Sequence, residues 1–254
     1  MRVVLMRTTH PGNIGAVARA MKNMGLYQLC LVNGADEGSQ EARRRAAGAE
    51  NVLESALVTS SIDEALEGVQ LVIGASARSR KMVWPLMNPR DCASLIEKSV
   101  FQSKSSKPTQ VALLFGQEAS GLSNEELQRC HYHVNIPAVA DFSSLNLAMA
   151  VQLVCYEIRM AMLLDNASDA PNILTSSILS SDDEGWDEPP AEVKEVEGFF
   201  QHLEETLIKI GFHDPENPRL LMARMRRLYQ RAHLDKMEVN ILRGILSASQ
   251  KHTK

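Results

Sequence analysis

Short apolar runs rich in β-branched residues recur at Val3–Met6, Leu29–Val32, Leu71–Gly74, Val111–Phe115 and Val134–Ile136, each bounded by Gly, Pro or polar residues. Runs of that length between such boundaries predict buried strands. Between them, apolar residues recur at helical spacing in Ile14–Met24, Ile62–Glu67, Pro89–Lys98, Asn124–Cys130 and Leu145–Leu164. Parallel neighbours need a crossover between them, so this alternation predicts an α/β fold: a mostly parallel sheet covered by helices on both faces.

The pattern changes after Leu164. Residues 165–195 are rich in Ser, Pro and acidic residues (SSDDEGWDEPPAEVKE) and read as an acidic flexible linker. Trp186 within it is either a docking anchor or incidental. Val196, Phe199, Phe200, Leu203, Leu207 and Ile210 then share one helical face, and Gly211, Pro215 and Pro218 end that helix. A second helix is expected over about 219–232, and a third through Val239, Leu242, Ile245 and Leu246. The expected organisation is a catalytic-size domain over 1–164 and a small all-helical extension over 196–254.

Composition narrows the function. A chain of 254 residues with 44% hydrophobic and 23% charged residues can bury a full core. Its net charge of -4 gives no overall attraction to a polyanion, so any nucleic-acid contact must come from local basic patches. Two patches qualify. Arg43, Arg44 and Arg45 form a run, and Arg224, Arg227 and Arg231 fall three and four apart with Arg226 beside them; each set is either a solvated helix face or a phosphate-contacting one. Four scattered cysteines without a CxxC pair fit a reducing cytoplasm. Neither a leader-like segment nor a stretch of membrane-spanning length is visible, so a cytoplasmic location without membrane association is expected. His131 and His133 share a strand face but have no Cys or carboxylate at ligand spacing, which predicts structural histidines and no metal.

Three stretches could carry chemistry. HPGNIGAVARAMKNMG, from His10 to Gly25, is a turn entering a helix, where free backbone N–H groups, Asn13 and Arg19 could meet an anion or ribose. LLFGQEASGLSNEEL ends a strand at Gly116, places Glu118 in a loop and starts a helix with a Ser123/Glu126 capping box. HVNIPAVADFSSLNLAMAVQL joins a strand to a helix expected to begin near Ser144, with Ser144 as its cap and Asn146 in its first turn. On spacing alone each is equally an ordinary strand–turn–helix connection. Neither GxGxxG nor GxxxxGK[ST] is present, which argues against a dinucleotide-dependent oxidoreductase on the same kind of sheet.

In this order, NIGAVAR, FGQEASGL and IPAVADFSSLNLAMA resemble the three motifs of the SPOUT methyltransferases, in the branch that methylates ribose in tRNA. ASARSRKMVWP, NEELQRCHYHV and the helical tail extend the likeness to the bacterial anticodon-loop ribose methyltransferases. The resemblance implies a parallel sheet whose C-terminal segment threads through a loop as a trefoil knot. It implies S-adenosylmethionine held by Ala75, Ser76, Ala77, Gly116, Ile136, Ser143, Ser144 and Leu145. Arg19 is implied as the central catalytic residue, with Asn13, Glu118, Ser144 and Asn146 around it. A guanidinium hardly ever loses its proton, so Arg19 suits orienting a phosphate and stabilising a developing alkoxide better than acting as a base. The implied partners are tRNA, methylated on cytidine or uridine at position 32, and a second copy of the chain, with Arg19 acting in its own subunit or across the dimer. The alternative is a non-catalytic RNA-binding or ribosome-assembly protein of the same fold.

Overall fold

The computed structural model describes residues 1–76, 85–101, 109–165 and 188–252. Seven strands form one sheet: β1 (Arg2–Met6), β2 (Gln28–Val32), β3 (Leu57–Thr59), β4 (Leu71–Ala75), β5 (Leu86–Met87), β6 (Val111–Phe115) and β7 (Tyr132–Val134). Their order is β3-β2-β1-β6-β4-β7-β5, and every pairing between these strands is parallel. The connections carry α1 (Pro11–Asn23), α2 (Gln40–Ala46), α3 (Glu50–Glu54), α4 (Ile62–Ala65), α5 (Pro89–Phe101), α6 (Asn124–Gln128) and α7 (Leu147–Asp165).

Side chains alternate across a strand, and that alternation divides the core in two. Val3, Leu5, Leu29, Leu31, Leu113 and Phe115 face one side, where α1, α2, α5 and α7 bury Ile14, Ala42, Ile96 and Val154 against them. Val4, Met6, Cys30, Val32, Ala112 and Leu114 face the other, under α4 and α6. Both faces of β6 are covered, which is why all five of its residues are buried and the run is unbroken apolar sequence.

Several boundaries differ from expectation. β3 and β5 were not expected, because a three-residue strand with Leu57 and Val58 exposed and a two-residue strand leave no periodic signal. β7 begins at Tyr132 and ends at Val134, two residues ahead of the expected 134–136. His131 N already donates to Val72 O, and Pro137, lacking an N–H, favours an extended rather than paired exit. The last helix of the domain starts at Leu147 and not near Ser144. Asn146 is its cap, accepting from Ala148 N at 2.9 Å.

The tail folds as α8 (Val193–Lys209), α9 (Leu221–Gln230) and α10 (Lys236–His252) around Phe199, Phe200, Leu203 and Val239. Helix α8 starts three residues before the expected 196, because Glu192 and Glu195 form a reciprocal cap. The stretch before it, expected as linker, is docked: Val193 N donates to Val69 O at 2.8 Å, and the Val193 side chain enters the second core. Residues 166–187, including Trp186, and residues 77–84 lie outside the described residues. All four cysteines are buried free thiols, and among the described residues no helix is long and apolar enough to cross a membrane.

Candidate active site

The C-terminal ends of β4, β6 and β7 meet in a cleft, the place where open parallel sheets bind ligands. Ala75, Ser76, Gly116, Ile136, Ser143, Ser144 and Leu145 all line it, although they come from three separate segments. Ala77 lies outside the described residues. Ser76 is held in place by its backbone, its N–H donating to Val134 O at 3.0 Å and its carbonyl accepting from Asn135 Nδ2 at 2.8 Å.

The β6–α6 loop gives the cleft its shape. A Cβ on Gly116 would lie 2.0 Å from the carbonyl carbon of Gly121, and Gly121 itself sits at φ +69°. Gly121 N donates to Gln117 O at 2.8 Å, closing the loop on itself. Gly116 is therefore required by backbone packed on backbone within the loop, irrespective of any ligand. The Ser123/Glu126 capping box then starts α6, and buried Glu126 also pairs with Arg7.

That folded loop turns Glu118 back toward the start of α1. Glu118 Oε2 accepts from Thr9 N and Thr9 Oγ1 at 3.2 and 3.3 Å, and Oε1 from His10 N at 3.4 Å and Asn13 Nδ2 at 3.0 Å. Burial works to raise its pKa, but the Asn13 amide and the backbone N–H groups outweigh it, so the carboxyl sits below its usual range and stays anionic. Because a carboxylate can only accept, the Asn13 amide must turn its nitrogen to Glu118 and its oxygen to Asn146, whose Nδ2 donates to it at 3.1 Å. Asn146 in turn caps α7. One directed chain of hydrogen bonds thus ties together residues 105 and 133 positions apart.

Four of the five expected catalytic residues converge here: Asn13, Glu118 and Asn146 in the network, and Ser144 on the cleft wall. Arg19 does not. It is exposed on α1, outside the cleft lining, with no hydrogen bond or ion pair to a described residue. One turn earlier, Gly15 lets α2 pack so closely that a Cβ would meet Ala42 O at 2.0 Å and Arg45 Cβ at 3.0 Å. One turn later, Lys22 Nζ donates to Gly48 O and Asn51 Oδ1, both at 2.7 Å. Arg19 therefore stands exposed between the close α1–α2 contact at Gly15 and the Lys22 contacts.

Arg43, Arg44 and Arg45 are all exposed, and Arg43 Nε donates to Gly38 O at 3.2 Å. On the tail, Arg224 and Arg231 are exposed and Arg227 is half-buried. Thr9 and His10 were not expected as site residues. No pattern signalled them, because exposed N–H groups ahead of Pro11 can bond to water as readily as to the chain. His131 Nδ1 accepts from Val72 N at 3.0 Å, burial pushing its pKa down to about 3, and His133 Nε2 lies 3.1 Å from Leu127 O. Among the described residues no three His, Cys, Asp or Glu side chains gather as a metal site.

Residues 1–156, which contain the whole cleft, match the SpoU rRNA Methylase family. The chain belongs to this family. Residues 194–254 match a second family model, described as the C-terminal domain of the tRNA methyltransferase TrmJ. The chain is 46% identical to the tRNA (cytidine/uridine/adenosine-2'-O-)-methyltransferase TrmJ of Pseudomonas aeruginosa, an alignment covering 99% of this chain and 94% of that one. It is 45% identical to the tRNA (cytidine/uridine-2'-O-)-methyltransferase TrmJ of Pectobacterium atrosepticum, covering 99% and 97%. Among solved structures, TrmJ from Z. mobilis superposes with a TM-score of 0.77 at 31% identity over 97% of each chain. A probable methylase family protein from Haemophilus influenzae gives 0.59 at 42% identity, over 98% and 95%.

Proposed function

We propose that this protein transfers a methyl group from S-adenosylmethionine to the ribose 2′-hydroxyl of cytidine or uridine at position 32 of tRNA, as a cytoplasmic homodimer. The observation that carries the reading is the convergence of Asn13, Glu118 and Asn146 at the mouth of the cleft lined by Ser76, Gly116 and Ser144. Relatives of nearly the same length named as tRNA 2′-O-methyltransferases supply the substrate class.

The cleft fits the cofactor. Its walls combine the apolar side chains of Ala75, Ile136 and Leu145 with the backbone of a glycine-containing loop, which suits an adenosine, and Glu118 places an anion there with no cation against it among the described residues. When bound, S-adenosylmethionine supplies an activated methyl group and leaves as a neutral thioether, so the protein needs positioning more than acid–base strength. Asn13 and Asn146 hold the motif-bearing helices in register, while Glu118 stays ionised and favours positive charge nearby. Residues 1–164 form the methyltransferase domain, and the tail adds tRNA contacts through Arg224, Arg227 and Arg231.

Arg19 points to the dimer. Met149, Leu153 and Tyr156 are 63%, 41% and 47% exposed at i, i+4 and i+7 on α7, which packs beside α1. An apolar stripe of that kind suits a second subunit, which would bring Arg19 to the partner's cleft to orient the phosphate and stabilise the alkoxide. Incubation with tRNA and methyl-labelled S-adenosylmethionine tests the reading. A 2′-O-methyl group blocks alkaline cleavage of the neighbouring phosphodiester, so the label should be recovered in alkali-stable dinucleotides. Label recovered in single nucleotides would mean base methylation.

A further inference from the structure

The contact between the tail and the methyltransferase domain is built more firmly than a tether requires. Glu197 on α8 accepts from both terminal nitrogens of Arg226 on α9, at 2.6 and 2.9 Å, and its Oε1 lies 3.3 Å from Nε of Arg129 at the end of α6. Arg129 also pairs with Asp63 on α4, and the Arg226 guanidinium lies 4.5 Å over the Phe200 ring. The side chains of Glu197, Arg129 and Arg226 keep only 15%, 18% and 19% of their surface exposed. Close by, His233 stacks on His131 and Tyr132 and places Nε2 2.5 Å from Tyr132 Oη, while Gln230 Nε2 donates to Gln128 O at 2.9 Å.

Partly desolvated charges of this kind are costly to separate, because each partner left behind keeps a charge without its counterion. The tail is therefore held as one body with the methyltransferase domain, and the exposed Arg224 of α9 stands at a set distance from the cleft. We propose that this junction is a latch that fixes the reach between the tail's tRNA contacts and the cleft, with Glu197 as the positioning residue that holds it. The proposal rests on the tRNA-methyltransferase reading and adds that rigid docking, and not mere tethering, selects the nucleotide that enters the cleft.

The test uses the full chain with Glu197→Gln, Glu197→Asp and, as an independent lesion, His233→Ala. Amide exchange at Val193, whose N–H bonds Val69 O across the junction, reports docking directly. Glu197→Gln should speed exchange there and raise KM for tRNA roughly tenfold as effective concentration falls, with kcat and cofactor affinity within about twofold. Methyl groups should also spread to neighbouring nucleotides, and Glu197→Asp should recover most of the docking and the KM. Faster exchange with unchanged KM and unchanged methylation site overturns the proposal, because tRNA then does not read the latch. Unchanged exchange in both Glu197→Gln and His233→Ala overturns it too. Absence of tRNA methylation by the unaltered protein sinks the underlying function instead, and the exchange data distinguish that failure.

Discussion

Two carboxylates organise the two ends of this molecule, and they are built in opposite ways. Glu118 at the cleft is held by neutral donors: two backbone N–H groups, a threonine hydroxyl and an asparagine amide. Glu197 at the junction is held by two guanidinium groups. The first arrangement fixes a carboxylate in place with no cation against it among the described residues, which is useful where a cationic ligand is to be met. The second cancels the charge and converts it into rigidity. A hub whose partners are neutral marks a place for incoming charge, and one whose partners are already charged marks a joint.

The strongest challenge to this contrast comes from a charge that belongs to neither hub. Arg19→Ala should lower methyl transfer by about 10³, the scale of losing a group that stabilises developing charge, with cofactor affinity unchanged in a binding isotherm. Normal turnover would remove Arg19 from the mechanism. Glu118→Gln should come next, with transfer reduced by about 10², because an amide turns its NH₂ toward donors that need an acceptor. Glu197→Gln should leave kcat within about twofold. If the two glutamine variants behave alike in single-turnover assays, the distinction between charged site and joint is wrong.

Acid separates the hubs further. The Glu118 carboxyl is held below its ordinary range in the folded protein, so its bonds stabilise fully above the unfolded value of about 4.3 and fade as pH falls through the lower folded value. Urea midpoints of the native protein and Glu118→Gln should therefore differ by a constant amount from neutrality to about pH 4.3 and converge below it. A gap that instead grows with acidity would reverse the sign assigned here. The smallest effect belongs to the tail surface. Replacing Arg224, Arg227 and Arg231 with Ala should reduce the slope of log affinity for tRNA against log salt by about 2, as fewer counterions are released. An unchanged slope returns them to a solvated helix face.

The sequence made these two regions legible to different degrees. β1, β2, β4 and β6 stand within a residue of their apolar runs because both faces are buried. β3 and β5 escaped because short edge strands need no pattern. Spacing alone could not bring Asn13 to Glu118 and Asn146; the motif resemblance placed them in one site, and the coordinates supply the directed hydrogen bonds. Nothing comparable marked the junction. Glu197, Arg129 and His233 read as ordinary polar positions, since an ion pair between distant segments has no period, and the polar stretch around Val193 read as linker although its one valine completes a core. Arg19 was legible as a residue, but its exposed place outside the cleft lining was not.

The most direct test of the whole account is mass spectrometric mapping of methyl groups in tRNA incubated with the protein and S-adenosylmethionine. A single 2′-O-methyl group is expected, on the cytidine or uridine at position 32. Methyl groups on bases, on riboses in the D-loop, or on no nucleotide at all would contradict it.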